Sequence, residues 1–455
     1  MESPARIGPS GAVGTWAVYV PSASAPWNLR RVVHLHRRAG FAATWNEIQR
    51  DLRDGPQASV DRVLAGRASS AGVPEEFQST ADLLGETAVA SGDPARLKAW
   101  WIYRMLFGPD PLTERLALLW HNHFATSNLK VENLGLMRRQ NELFRNLGRG
   151  LFGDLLNAVV HDPAMLIWLD APSNRKGHPN ENLARELMEL FSMGIGHYTE
   201  HDVQEAARAL TGWSLEEELF AEVPVRHDPG QKTILGHTGP WKGDDLVRMV
   251  LEHPATAHRL TGRICELFLS EPMLSTADTR ALADGLRARN LDIGWAVETV
   301  LRSQNFFADR NLGNRVMSPV QYIIGAARAL ELFEPPSSTL VLAEWCSQLG
   351  QDLFYPPNVG GWPGGRSWLT TRAVIGRANY AAALVEGKRV GRPGPMKVLA
   401  LAERYGEQDL VAFFTRLLLG TDPTPALRTR LETDTADAGR RAVARILAMP
   451  EAHLI

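Results

Sequence analysis

Apolar residues recur every three to four positions along most of this 455-residue chain, a period that predicts helices. Thr44 followed by Glu47 forms a capping-box pattern and predicts a helix over 45–53. Thr199 with Asp202 forms a similar pattern at the start of a helix that ends near Thr211. Further helices are predicted over 60–64, 94–107, 113–124, 133–147, 151–161, 182–193, 244–251, 255–269, 278–287, 295–302 and 319–333, with short helices over 396–447.

The pattern changes between residues 219 and 236, where alternating and β-branched residues surround the turn signal Asp228-Pro229-Gly230. This stretch predicts a small β-hairpin inserted among helices. The segment 355–368 holds three prolines and four glycines and is predicted to be a loop. The fold class is therefore mainly α, a large multi-helix globular domain with a small inserted β-hairpin. We divide it into an irregular arm over 1–30, a helical domain over 31–390 with the hairpin near 219–236, and a C-terminal helical extension of the same domain over 391–455.

Composition narrows the function classes. Apolar residues make up 44% of the chain and charged residues 22%, as in soluble globular proteins. Forty-nine lysines and arginines against 51 acidic residues leave no basic field for nucleic acid and no polybasic run for a membrane surface. Two cysteines are too few for a disulfide framework or a cysteine-based zinc site. The N-terminus lacks the pattern of a signal peptide, so a cytoplasmic location is expected.

One helix concentrates polar side chains. Placed at 100° per residue, Glu181, Arg185, Glu189, Asn182 and Glu186 fill one continuous arc of the helix that starts after Pro179. Two carboxylates one turn apart suit a shared metal ion or an acid–base pair. The alternative is a solvated face with an intrahelical Arg185–Glu189 ion pair.

Histidines occur nearby in the segment Trp120 to Phe124. His121 and His123 point about 200° apart on a helix, so they do not both bind one ion unless the helix breaks. His123 falls in line with leucines on an apolar face. It is either a metal ligand or a hydrogen-bonded core residue.

The predicted hairpin carries a third polar group. His227 and Asp228 at a turn are placed to project into a cleft, with Lys232 close by in sequence. A plain Asp-Pro-Gly turn explains Asp228 but leaves His227 and Lys232 unexplained. In the glycine-rich loop, Trp362 either fills the core or lines a pocket.

Several long segments resemble the bacterial domain of unknown function 1800 family (DUF1800). They are HLHRRAGFAAT, WHNHFATS, NENLARELMELFSMGIGHYTEHDVQEAARALTGW, RHDPGQKTILG, RVMSPVQYIIGAARAL and LFYPPNVGGWPGG. The resemblance covers about residues 30 to 385. The family has no established general activity. Its members are often encoded beside a second family, which implies a protein partner, and many look exported, unlike this chain.

Three hypotheses follow. The first is a metal-dependent enzyme, oxidative or hydrolytic, that acts on a small molecule with iron, manganese, copper or zinc. Its metal ligands would be His123, Glu186, Glu189 and His227; its acid or base would be Glu181, Asp170 or Asp228; and Arg185 or Lys232 would bind an anionic substrate group. The second is a non-catalytic scaffold or partner-binding protein, and the third is an intracellular accessory enzyme of a biosynthetic pathway. Polar residues that line one cleft would favour an enzyme, whereas residues paired with arginines would favour a scaffold.

Overall fold

A computed structural model describes residues 16–66, 73–269, 274–432 and 437–455. Helices dominate this part of the chain, which confirms the mainly-α prediction. The first helices are α1 (Leu29–Ala39), α2 (Trp45–Leu64), α3 (Phe77–Ser91), α4 (Pro94–Phe107), α5 (Pro111–His123), α6 (Asn128–Val131), α7 (Leu134–Leu147), α8 (Phe152–Val160), α9 (Pro163–Trp168), α10 (Asn182–Glu186) and α11 (Glu200–Ala209). The later helices are α12 (Gly243–Glu252), α13 (Pro254–Phe268), α14 (Thr276–Arg287), α15 (Ile293–Arg302), α16 (Gln304–Phe307), α17 (Pro319–Ala329), α18 (Thr339–Gln348), α19 (Thr371–Glu386), α20 (Val398–Arg404), α21 (Leu410–Leu419), α22 (Pro425–Leu431) and α23 (Ala438–Ala448).

Side-chain caps fix many helix starts where the sequence predicts them. The Thr44 hydroxyl accepts from the Glu47 amide at 3.4 Å, and Glu47 accepts from the Thr44 amide at 2.8 Å, a complete capping box. The helix then continues to Leu64 across a kink at Gly55, which joins it to the helix predicted separately over 60–64. Thr199 and Asp202 form a second capping box in front of α11.

The β element consists of two hairpins. Strand β1 (Trp213–Glu216) pairs antiparallel with β2 (Leu219–Glu222), and β3 (Lys232–Ile234) pairs with β4 (His237–Gly239). The small β element is confirmed, but the expected single hairpin around Asp228 is not its arrangement, since that residue lies between the two hairpins. The first turn uses Glu217 and Glu218 at positive φ, a conformation that turn rules assign to Asn and Gly, so its sequence carried no signal.

The polar helix changes its winding partway along. α10 ends at Glu186, and residues Leu187–Ser192 continue as a π-helix. The helical conformation ends before Gly194, which has a φ of 88°. π-helical turns occur often at functional sites. A π turn holds more residues than an α turn. The angle around the helix axis between Glu186 and Glu189 therefore differs from the angle that an α-helix would give.

α5 lies at the centre of the core. Its residues Leu116, Ala117 and Trp120 are at most 1% exposed, and α4 and α7 pack against it. The predicted arm includes residues 1–15, outside the described part, while Trp16 and Tyr19 are buried. In the C-terminal segment α23 packs on α19. No helix in the described ranges combines the length and apolarity that crossing a bilayer requires.

Candidate functional site

Arg185, predicted to bind an anionic substrate group, is engaged by two carboxylates. It donates to Glu181 at 2.9 Å and to Glu200 of α11 at 2.7 and 2.9 Å. The hydrogen bonds that Arg185 donates to Glu200, and then the one that it donates to Glu181, raise the pKa of Arg185. The pairing with Glu181 and Glu200 differs from the Arg185–Glu189 pair considered from the sequence, and it ties α10 to α11.

Asp170 lies at the start of the segment that leads to α10. Its carboxylate accepts from Lys130 at 2.7 Å and from Asn182 at 3.1 Å. The contact with Asn182 holds the loop onto the start of α10. Asp170, one of the three residues proposed as acid or base, therefore has Lys130 as its ion-pair partner.

Glu186 and Glu189 are the two carboxylates that the structure does bring near each other. Burial, and then the charge of Glu189, raise the pKa of Glu186. The Tyr198 hydroxyl donates a short hydrogen bond to Glu189, and burial followed by this bond raises the pKa of Tyr198 to about 12. The pair thus combines a carboxyl that holds its proton more strongly with a hydrogen-bonded carboxylate.

His123 lies in the aromatic core. Its Nε2 is 3.1 Å from the Phe191 carbonyl oxygen, to which it donates, and its ring meets Trp120 edge to face. Burial, followed by the positive charge of Arg263, lowers its pKa well below the usual range. His121 is likewise buried, and its Nε2 accepts from the Phe354 amide at 3.2 Å. Both rings therefore hold neighbouring segments to α5.

The group around Asp228 forms a closed turn. Asp228 accepts from Arg208 at 2.8 Å and from the Gly230 amide at 2.9 Å, and the hydrogen bond from Arg208 leads the causes that lower its pKa to about 2. Lys232 is 1% exposed and donates to the Asp228 and Gly230 carbonyls at 2.6 and 3.0 Å. Burial lowers the pKa of Lys232. His227 Nδ1 donates to the Thr211 carbonyl at 2.9 Å.

The hydrogen bonds around Arg185 and those around Asp228 form two separate groups. Glu200 and Arg208, which anchor the Arg185 and Asp228 groups, stand eight residues apart on α11, about 12 Å along its axis. Across the four described ranges no group of three His, Cys, Asp or Glu side chains is placed to hold a metal ion. The four proposed metal ligands thus remain in separate surroundings, with Glu186 and Glu189 the only two of the four related by an interaction that the structure records.

A large cavity lies elsewhere, beside α5. Its volume is about 610 Å³, within the range of small-molecule sites. One wall is a single face of α5, formed at positions i, i+3, i+4 and i+7 by Arg115, Leu118, Leu119 and Asn122. α13 and the segments 314–321 and 362–368 supply the other walls. Exposed Asn314 and Arg366 also line it, so the cavity opens to solvent.

Positive charge predominates in this lining. Arg115, Arg263, Arg315 and Arg366 stand against one carboxylate, Glu266, a formal charge of 4 − 1 = +3. Glu266 forms an ion pair with Arg263 at 2.8 Å. We call this space the arginine-lined cavity.

Arg115 is the most unusual member of the lining. It is 2% exposed, yet its Nε and Nη2 have no hydrogen-bond partner in the described part of the chain. Burial, and then the charge of Arg315, lower its pKa to about 9. Its guanidinium carbon lies 5.7 Å from the centre of the Phe41 ring, within reach of a cation–π contact. A buried guanidinium in this state lacks the acceptor that normally offsets its desolvation.

Two other residues of the lining also hold buried donors without a partner in the described part of the chain. Gln321 is 2% exposed, and its Nε2 has no acceptor among the described residues, nor has Nε of Arg263. By contrast, a hollow of about 500 Å³ lined by Trp45, Tyr405 and Arg416 includes no described buried side chain of this kind. Unmet donors therefore distinguish the arginine-lined cavity from this hollow.

The sequence did carry a signal for Arg115. The residue interrupts the apolar face of α5 that includes Leu112, Leu118 and Leu119, and arginine is rarely fully buried without a pair. Trp362 was expected either to fill the core or to line a pocket. It lines the cavity, and its amide donates to Asn122 Oδ1 at 2.7 Å. The convergence of Arg115 with Arg315, 200 residues later, has no local signal.

A family model described as "Protein of unknown function (DUF1800)" matches residues 34–454 of the chain. No curated protein and no solved structure matches it. Three of the segments that carry the resemblance contribute to the arginine-lined cavity, through Asn122, through Arg315 to Gln321, and through Trp362 to Gly365.

Proposed function

The chain belongs to the DUF1800 family, and we propose that it binds a small anionic molecule in the arginine-lined cavity. The observation that carries the proposal is the buried guanidinium of Arg115, whose Nε and Nη2 find no acceptor among the described residues. Arginine is the residue best suited to carboxylate, sulfate and phosphate, because its planar N–H groups match two oxygens at once. An oxyanion at Arg115 would supply the missing acceptors and the missing charge.

Direct binding tests the proposal. We would titrate the protein with sodium sulfate and sodium acetate in a calorimeter at constant ionic strength, so that general screening stays fixed. Binding should be lost in Arg115→Gln and retained in Arg416→Gln, a matched loss of one positive charge at the 500 Å³ hollow. Equal binding by both variants would contradict the proposal, since the effect would then follow net charge rather than this cavity.

The metal-dependent enzyme of the sequence hypothesis is a second candidate, and Glu186 with Glu189 supports it. The raised pKa of Glu186 beside Glu189 is the arrangement that acid–base chemistry needs, and two carboxylates completed by water suit manganese. Elemental analysis of protein purified without a metal-affinity tag would detect a stoichiometric metal. Glu186→Gln should remove that metal. Unchanged metal content in this variant, or no metal in the parent, would reject this candidate.

The non-catalytic scaffold is supported by a different observation. The residues that the sequence marked for chemistry around α11 are bonded to arginines, namely Glu181 to Arg185 and Asp228 to Arg208. Such pairs fix how segments meet. They fit a helical framework that presents the arginine-lined cavity or a surface to a partner protein. Under this candidate, the Asp228→Asn variant would lose stability and keep anion binding.

A further inference from the structure

The arginine-lined cavity has two chemically different ends. Along α5, Arg115 and Asn122 are seven residues apart, about 10 Å along the helix axis. Arg315 lies close enough to Arg115 to lower its pKa. At the other end Asn122 is satisfied by the main chain of Trp362, accepting from its amide at 2.7 Å and donating to its carbonyl at 3.5 Å. The end at Arg115 thus holds donors without acceptors, whereas at the other end the side-chain amide of Asn122 already has its hydrogen bonds.

Apolar side chains line the cavity between Arg115 and Asn122, and they also surround the end at Asn122. Leu118 and Leu119 line it from α5, Leu267 lines it from α13, and the indoles of Trp362 and Trp368 line it from the loop. Arg263 also lies on α13, but Glu266 balances its charge. Arg366 lies in the same loop as the two indoles, but it is exposed to solvent. Among the described residues that line the cavity, the buried guanidinium without an acceptor is therefore that of Arg115.

We infer that the ligand is an amphipathic carboxylate or related oxyanion, with its charged head at Arg115 and an apolar body of about 10 Å directed toward Trp362. This inference rests on the proposed anion binding and deepens it. The cavity of about 610 Å³ is sized for an organic molecule, so an inorganic ion would leave the apolar walls unused. The unmet groups Arg115 Nε, Arg115 Nη2 and Gln321 Nε2 are all donors, so the head should be fully deprotonated.

A series of straight-chain carboxylates from acetate to decanoate, titrated below their micelle concentrations, tests the inference. Each methylene buried against the leucines should tighten binding by about threefold to fourfold, until the chain fills the cavity. In Arg366→Gln, which removes the exposed cation of the loop, octanedioate should bind at least tenfold more weakly than octanoate, because its second carboxylate would lie at the apolar end without a partner. Anionic phospholipid vesicles form a separate arm. Sedimentation that requires Arg115 would support the same chemistry with a lipid as its source.

Variants separate the two ends. Arg115→Gln should weaken every member of the series by at least tenfold, whereas Leu119→Thr should reduce the gain per methylene and so weaken decanoate more than acetate. Trp362→Leu is the second apolar variant, in case one of the two fails to fold. Acetate and sulfate that bind through Arg115 with no gain along the series would overturn the amphipathic ligand and leave the proposed function standing. If no anion binds the parent protein, the proposed function itself fails.

Discussion

Replacing Arg115 with methionine should stabilise the ligand-free protein. Burial and the neighbouring charge of Arg315 lower the pKa of Arg115 from the usual arginine range to about 9. At about 1.4 kcal/mol per pKa unit, the ionised group costs the folded state about 5 kcal/mol at pH 7. Methionine keeps an unbranched apolar side chain in place, but the variant loses the contact with the Phe41 ring, worth about 1 kcal/mol, and packs imperfectly. We expect a net gain of about 2 kcal/mol in the free energy of unfolding, as found when buried charges are replaced by apolar groups.

The same pKa shift predicts how the free energy of unfolding changes with pH. The folded-state pKa lies below the unfolded one, so between about pH 9 and pH 12.5 the unfolded chain binds more protons. The stability of the parent should therefore rise across this window relative to Arg115→Met, and the full cost should be present below pH 9. Urea unfolding at pH 7 and pH 10 measures both effects, with equal m values as the check that the unfolding transition is unchanged.

A matched variant guards against a general effect of removing buried arginines. Arg328 is fully buried, and its Nη1 donates to the Leu106 carbonyl at 2.6 Å. Arg328→Met leaves that oxygen without its donor and should destabilise the protein by about 1–3 kcal/mol. Destabilisation of similar size by Arg115→Met would refute the reasoning, because it would mean that Arg115 stabilises the ligand-free fold.

Three further predictions concern other parts of the structure. Asp228→Asn should lower the free energy of unfolding by about 1–2 kcal/mol at pH 7, because the pKa of Asp228 is lowered to about 2 by Arg208; urea titrations should show the loss shrinking as the pH falls from about 4 to 2. Glu186→Gln should raise the melting temperature more at pH 7 than at pH 4, since burial raises the pKa of Glu186 and disfavours its ionised form; an equal change at both pH values would contradict this. Gly361→Ala should cost about 1–3 kcal/mol in urea unfolding and weaken anion binding, because Gly361 has a φ of 77° and a β-carbon would lie 2.3 Å from Asn122 Oδ1; an unchanged variant would show that the loop tolerates other conformations.

Local signals were enough to predict much of the helical framework. The helix over 94–107 has the predicted bounds, with Asp93 as its cap and proline at its first position. The capping boxes at Thr44 and Thr199 also form as expected. In these places a few adjacent residues satisfy the free amides of the first turn, so no distant contact is needed to define the start.

The candidate site was less accessible to sequence reasoning. The polar residues on α10 were conspicuous, yet the acceptors of Arg185 include Glu200 on another helix, which only the tertiary fold brings into reach. Arg115 looked like one charge among the leucines of α5. Its significance depends on which acceptors are missing around it, a property of segments more than a hundred residues away in sequence.

Anion binding in the arginine-lined cavity would be tested most directly by anomalous diffraction from crystals grown with selenate. Selenate is a fully ionised oxyanion, and the anomalous scattering of its selenium shows where it binds. We predict an anomalous peak in the arginine-lined cavity, with selenate oxygens about 2.7–2.9 Å from the guanidinium nitrogens of Arg115. The peak should be absent from isomorphous crystals of Arg115→Gln. Selenate bound at other surface arginines, with none beside Arg115 in the parent protein, would contradict the account.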